Sequence, residues 1–365
     1  MTVGAGPRIR RICSLAGVAL AIAALASCTA GPDSKPAPSG GEDAKPTRLG
    51  EAEVIATGLE APWSIAFHDD TPLISERDSA RVLELDTGGK AREVGTIAGV
   101  ASGGEGGLLG IAVHEDHLYV YSTGDDGNRI ERYKLAGEPG ALRLGKPDSL
   151  LERIPAAGNH NGGRLAFGPD GMLYATTGDA GDGETAQDRK SMAGKILRMT
   201  PEGGAPEDNP FDESLVYSYG HRNPQGIAWA EDGTMYASEF GQDTWDELNV
   251  IKPGDNYGWP DVEGIVDRDG FVDPVQQWEP AEASPSGMTI ANDTAFITAL
   301  RGERLLEVPL VEPASSAEHF TEEFGRLRDA AIAPDGSMWL LTNNTDGRGD
   351  PDSDDDRLLS VPLAE

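Results

Sequence analysis

Three short segments concentrate the residues able to do chemistry: Asn159-His160-Asn161-Gly162-Gly163-Arg164, Gly220-His221-Arg222-Asn223-Pro224-Gln225-Gly226 and Arg326-Leu327-Arg328-Asp329. The chain has 30 Lys+Arg against 62 Asp+Glu, so Arg222, Arg326 and Arg328 in such places are informative. A guanidinium pairs a carboxylate through a bidentate fork, and three gathered together predict a multiply anionic ligand. His160 adds a proton-transfer group whose ordinary pKa lies near neutrality. A further cluster comprises Glu239-Phe240-Gly241-Gln242-Asp243, Asp246-Glu247-Leu248-Asn249 and Asn256-Tyr257-Gly258-Trp259-Pro260. Carboxylates beside glycine-rich backbone suit Ca²⁺, which takes six to eight oxygens. The aspartates 350, 352, 354, 355 and 356 fit no calcium-loop spacing and read as a solvated loop. No Cys/His zinc pattern, phosphate-binding glycine loop or Gly-x-Ser-x-Gly elbow occurs.

These segments are positioned by an internal repeat. Leu165–Thr176, Ile227–Ser238 and Ala331–Leu340 each read as strand, Asp-Gly turn, strand. Weaker copies cover Ile65–Ser75, Ile111–Ser122 and Met288–Thr298. The turn aspartates Asp70, Asp116, Asp170, Asp232, Asp293 and Asp335 are separated by 46, 54, 62, 61 and 42 residues. Each interval holds about four short strands, the content of one propeller blade. The expected fold is all-β: a six-bladed β-propeller of four-stranded antiparallel blades around a central channel. The segment upstream of each hairpin then opens at one mouth. Pro62-Trp63-Ser64, Glu105–Gly110 and Ser284–Gly287 join the three segments above, so six equivalent places converge.

With a net charge of -32, the chain offers no basic surface to nucleic acid or anionic lipid. Hydrophobic residues at 38 % fit a globular domain, and 47 Gly with 25 Pro fit many turns rather than long helices. Arg8, Arg10 and Arg11 precede an apolar run from Ile12 to Ala26 that is too short for a comfortable membrane span. The run ends at Leu25-Ala26-Ser27-Cys28, which resembles a bacterial lipoprotein box. The reading is a signal peptide over 1–27, lipidation at Cys28, a tether over 28–50 and the propeller over 51–365. It implies an exported protein held on the outer face of the bacterial cell membrane by its N-terminal lipid alone. Cys13 leaves with the signal, so no disulfide forms within the mature domain.

Glu105–Gly110, Asn159–Arg164, Gly220–Gly226 and Asn256–Pro260 together resemble the glucose/sorbosone dehydrogenase family. Within it, the likeness is to the soluble pyrroloquinoline quinone (PQQ)-dependent aldose sugar dehydrogenases, and it extends from about Val54 to Leu363. That resemblance implies a six-bladed propeller oxidising the anomeric carbon of an aldose to a lactone, with PQQ and Ca²⁺ as cofactors and an unidentified electron acceptor. It implies His160 as the base and Arg222 as the arginine that holds PQQ and polarises its carbonyls. Asn223, Gln225, Glu105, Arg301, Arg326 and Arg328 fall at cofactor-binding positions, the last two meeting the PQQ carboxylates. Backbone carbonyls of Gly241 and Gln242 fall at the Ca²⁺ that bridges to PQQ. Asp246, Glu247 and the Tyr257 carbonyl match a structural Ca²⁺ site, and Trp278 matches an aromatic near the substrate.

Some positions depart from the family's glucose-type members. Glu105 replaces a glutamine and Arg301 a lysine. Gln242 replaces a proline, with only its carbonyl expected to matter. The short stretch between Val262 and Ser284 leaves the sugar pocket open, which implies broad aldose specificity extending to oligosaccharides. Two other readings differ in class. One is a lactone hydrolase with a channel-centre Ca²⁺, which has little use for three arginines. The other is a binding propeller that has lost its cofactor, for which Glu105 leaves room.

Overall fold

The computed structural model describes residues 48–364. The signal peptide over 1–27, Cys28 and most of the tether lie outside the described residues. The tether's last residues are not a free linker: Arg48–Leu49 form a two-stranded pair with Leu363–Ala364.

Six four-stranded antiparallel sheets follow one another along the chain. Their first strands are Pro62–His68, Leu108–His114, Leu165–Phe167, Pro224–Trp229, Pro285–Ala291 and Leu327–Ile332, and each neighbours the next around a closed ring. The expected six-bladed propeller is the observed fold, and all six repeat copies are the first hairpin of a blade. The turn chemistry explains why. In the third, fourth and sixth blades the aspartate Oδ1 accepts the N–H two residues on, from Met172, Thr234 and Ser337. The intervening Gly171, Gly233 and Gly336 adopt φ of 74–86°, a conformation that costs other residues more.

The repeat spacing did not reveal how the ring closes. Three strands of the sixth blade come from the C-terminus, Leu327–Ile332, Met338–Thr342 and Leu358–Val361. The fourth is Glu53–Ala56, pairing Glu53 with Ser360 and Val54 with Leu359. The two ends of the domain are thus hydrogen-bonded into one sheet.

No single core exists. Six apolar clusters sit at the six interfaces between blades, so each blade buries both faces. Second strands such as Thr71–Glu76 and Thr294–Ala299 are accordingly buried at every position. That explains why Thr294–Ala299 is apolar or small throughout instead of strictly alternating, and why the one charged residue of Thr71–Glu76, Glu76, is paired with Arg81.

The C-terminal aspartates divide. Asp350, Asp352 and Asp354 are exposed as expected, but Asp355 and Asp356 are buried. Asp356 accepts hydrogen bonds from Thr342 Oγ1, the Asn344 N–H and Thr345 Oγ1. It therefore ties the loop before the third strand of the sixth blade to the end of the second, a structural duty rather than a solvated one.

Candidate active site

Five of the six upstream segments meet at one mouth of the propeller. They contribute Glu105, His160, Arg222 with Asn223, Ser284, and Arg326 to a cavity of about 420 Å³. The segment Pro62–Ser64 does not reach it. Trp63 is buried deeper, with Arg164 and Arg328 guanidiniums 4.4 and 5.9 Å from its ring centroid. A larger concavity of about 720 Å³ lies on the third blade, between Gln187–Met192 and Phe211–Val216. It holds no histidine, and its cations Arg189 and Lys190 are outnumbered by Asp188, Asp212 and Glu213, so the mouth cavity with its arginine excess is the better candidate.

His160 is built into the site from behind. Its backbone has φ of 55°, its N–H donates to Glu105 Oε2 at 2.8 Å, and its carbonyl accepts the Ala180 N–H. Gly178 permits that approach, because a Cβ there would lie 2.0 Å from the His160 oxygen. The ring Nδ1–H donates to Asp179 Oδ1 at 2.7 Å, which fixes the tautomer and leaves Nε2 as the free nitrogen. Asp179 also accepts from the Gly181 N–H at 2.7 Å and from Trp259 Nε1–H at 2.8 Å. Burial opposes its ionisation, but His160 and the Gly181 N–H together hold it below the usual carboxylate range.

Asp179 was missed in the sequence because the repeat does not mark it: it lies two residues past its blade's second strand, Leu173–Thr177, whereas Glu239 is the last residue of Met235–Glu239. His221 pairs with Glu239 at 2.7 Å, as His160 does with Asp179.

Four guanidiniums line the cavity, those of Arg222, Arg301, Arg326 and Arg348, against the two carboxylates of Glu105 and Asp246. Arg348 was not anticipated; it arrives on the C-terminal loop and pairs with Glu105 at 3.2 Å. The expected negative charge of Glu105 is therefore partly neutralised. Gln242 does more than offer a carbonyl: its Oε1 accepts from Arg222 Nε at 3.0 Å and Nη2 at 2.7 Å.

Two expected cofactor residues lie one layer deeper. Gln225 and Arg328 do not line the cavity, and both are buried. Arg328 donates to Asn343 Oδ1 at 3.0 and 2.7 Å and to Gln225 Oε1 at 3.0 Å. The reason is strand geometry. Each stands two residues further along an inward-running strand than its partner, Asn223 or Arg326, which is about 7 Å of rise. Below them Arg164 crosses the channel, pairing with Asp329 at 2.9 Å and donating to the Gln225 carbonyl at 2.8 Å. Trp278 is corrected outright. It packs in the apolar cluster between the fourth and fifth blades with Leu248 and Met288, away from the cavity.

The grouping of Asp246, Glu247 and Tyr257 also divides. Successive strand residues point to opposite faces. Asp246 faces the mouth cavity, where its oxygens accept the Gly241 N–H at 2.8 Å and the Ser284 N–H at 2.6 Å. Glu247 faces a second, small void of about 10 Å³, which Tyr257, Glu239, Glu263 and Arg222 also line. Burial and the Glu239 carboxylate push Glu247 up to about 8. Its oxygens accept only from the Gly264 N–H and Asn249 Nδ2. Three carboxyl groups against one guanidinium leave this void with an excess of negative charge, which a bound cation would offset. Among the described residues no three His, Cys, Asp or Glu side chains cluster for a metal, so such a cation would rely on backbone oxygens as well.

The mouth likewise fits a small polyanion. Four arginines converge there, and the buried Arg326 Nε–H has no acceptor in the protein. The mouth of the propeller thus sets an oriented histidine beside an arginine cradle. The Glucose / Sorbosone dehydrogenase family model matches residues 59–351, and the chain belongs to that family. The PQQ-bound aldose sugar dehydrogenase of Streptomyces coelicolor is similar at 48 % identity and TM-score 0.84, over 88 % of this chain and 99 % of that one. Aldose sugar dehydrogenase YliI of Escherichia coli K12 is 29 % identical, over 81 % of this chain and 90 % of its own. Quinoprotein glucose dehydrogenase B of Acinetobacter calcoaceticus is 31 % identical, over 61 % of this chain and 55 % of its own.

Proposed function

We propose that the protein is a PQQ- and Ca²⁺-dependent aldose dehydrogenase that oxidises the anomeric carbon of an aldose to a lactone. The observation that carries this is the convergence of the His160–Asp179 pair and four arginines in one cavity. Membership of the family and the likeness to a PQQ-bound relative support the same reading.

Arg222, Arg301, Arg326 and Arg348 answer the carboxylates of PQQ, and Asn223 contacts its periphery. The carbonyls of Gly241 and Gln242, on the loop beside Asp246, would hold the Ca²⁺. When bound, PQQ supplies the two-electron acceptor for the sugar hydride and Ca²⁺ supplies Lewis-acid polarisation. His160 Nε2 takes the proton of the anomeric hydroxyl. Asp179 holds the ring in that tautomer and stabilises the imidazolium once it forms. Glu105 accepts the His160 N–H and so holds the backbone from which the ring projects.

Calorimetric titration of PQQ into the signal-less protein with Ca²⁺ tests the assignment, followed by an aldose panel with an artificial electron acceptor. Tight binding and turnover are expected. No binding at micromolar PQQ would sink the cofactor assignment and favour a lactonase or a non-catalytic propeller.

A second, structural Ca²⁺ is assigned to the small void, on Glu247 and the Tyr257 carbonyl. A chelator is then expected to lower the melting temperature of the wild-type protein. Glu247→Gln is expected to melt at a chelator-independent temperature. An unchanged chelator response in that variant would place the ion elsewhere.

A further inference from the structure

Trp259 stands behind the mouth, half-buried, and does not line the mouth cavity. Its indole nonetheless meets two of the site's groups at once. The Nε1–H donates to Asp179 Oδ2 at 2.8 Å, on the carboxylate oxygen opposite the one that holds His160. The ring centroid lies 5.5 Å from the Arg222 guanidinium carbon, within cation–π range. Asp179 follows the second strand of the third blade, and Arg222 precedes the first strand of the fourth. The Arg222 side chain donates to Gln242 and to the Phe240 carbonyl, not to Asp179, so the indole supplies a side-chain link between them.

The indole is fixed from its own backbone. The Trp259 N–H donates to the Gly220 carbonyl at 2.9 Å, and the Trp259 carbonyl accepts Gln187 Nε2–H at 2.7 Å. Gln187 is held in turn by a reciprocal pair with the Asn256 amide, at 3.0 and 2.8 Å. Gly183 lies against the indole edge, where a Cβ would come 3.1 Å from Nε1. The rigidity matters because a carboxylate torsion has a broad, soft profile. His160 and the Gly181 N–H both bind Asp179 through Oδ1. A donor fixed on Oδ2 stops the group from turning and keeps Oδ1 on the His160 Nδ1–H.

We infer that Trp259 is a positioning residue that serves both halves of the site: its N–H aims Asp179 at His160, and its face supports Arg222 towards the cofactor. The inference rests on the proposed dehydrogenase reading for the roles of His160 and Arg222. One ring held at both ends of its own peptide unit thereby sets the base and the anion-binding arginine relative to each other.

Two substitutions separate the edge of the indole from its face. Trp259→Phe keeps an aromatic face and removes the N–H. On the PQQ- and Ca²⁺-loaded enzyme it is expected to lower kcat about tenfold, the scale of one hydrogen bond to a charged group. PQQ affinity, read by calorimetry, should stay within about twofold. Trp259→Leu removes edge and face, and is expected to weaken PQQ binding about fivefold as well. Gly183→Ala keeps the indole but crowds Nε1, at a backbone φ of -56° that any residue adopts, and should lower kcat more weakly. In an Asp179→Ala background Trp259→Phe should cost less than about twofold in kcat, because the bond it removes is already gone. Parallel loss of kcat and PQQ affinity in Trp259→Phe, or a full additive loss on top of Asp179→Ala, would overturn the assignment.

A readout without cofactor or turnover keeps this inference apart from the dehydrogenase reading. In the unloaded protein, NMR with isotope-labelled histidine follows the Nδ1–H that His160 donates to Asp179. His221, paired with Glu239 and touched by no indole there, is the internal reference. Trp259→Phe is expected to speed solvent exchange of the His160 proton about tenfold, as loss of one such hydrogen bond implies, and to leave His221 unchanged. That result supports the positioning role even if no sugar is oxidised. Unchanged exchange at His160, or an equal change at both histidines, overturns it.

Discussion

Replacing His160 with alanine is expected to lower kcat for aldose oxidation by about 10²–10⁴-fold, the usual contribution of a positioned general base. PQQ affinity should stay nearly constant, because the arginines carry the recognition and the His160 ring carries none of the charge. Asp179→Asn should reproduce part of the loss. An amide at 2.7 Å from Nδ1 no longer requires the proton to stay on that nitrogen and no longer stabilises the imidazolium. The split between turnover and binding separates positioning from simple damage: PQQ affinity in Asp179→Asn should stay near the wild-type value while kcat falls. A His160→Ala variant with near-normal turnover would remove the base assignment. Loss of PQQ binding in step with turnover would recast His160 as part of the cradle.

The second large effect concerns Asp346, a residue that arranges the arginine cluster without lining the cavity. Its fully buried carboxylate lies 3.1 Å from Arg326 Nη2 and 3.7 Å from Arg328 Nη2, and it accepts the Arg348 N–H at 2.9 Å. Removing one partner of a buried ion pair leaves an uncompensated charge, typically at a cost of about 3–5 kcal/mol. Asp346→Ala is therefore expected to lose stability on that order, read by denaturant unfolding. Its sign with pH follows from the ionisation. Burial opposes the charge, and Arg326 and Arg328 override it, holding Asp346 below its ordinary 3.8. That stabilisation is fully present above the unfolded pKa and disappears as pH falls through the lower folded value. The gap between wild type and Asp346→Ala should be constant near neutrality and close in acid. A gap that widens in acid would show that the carboxylate is not the stabilising partner.

Much of this was legible in the one-dimensional pattern. A polar turn led by an aspartate recurs between two buried strands, Asp-Gly in three blades and Asp followed by Thr or His in the other three, so the count and phase of the turn aspartates reported six blades directly. The upstream segments followed, since a strand that begins at the channel must be preceded by a loop at its mouth. His160, Arg222 and Arg326 were found in this way. What repetition could not report was depth within the channel. Gln225 and Arg328 have the same residue types and phase as Asn223 and Arg326 yet lie a layer below, bonded to each other and to Asn343. Nor could it report which neighbour faces which side, so Asp246 and Glu247 were assigned to one site and occupy two.

The sequence alone determined the architecture and the mouth, because turn chemistry and strand periodicity are local and repeat. Only the tertiary structure decided the partners. Asp179 meets His160 across 19 residues, Arg348 meets Glu105 across 243, and Glu53–Ala56 closes the last blade against Leu358–Val361. Such contacts depend on where the ring brings distant backbone together, and no local preference of the residues involved records that distance.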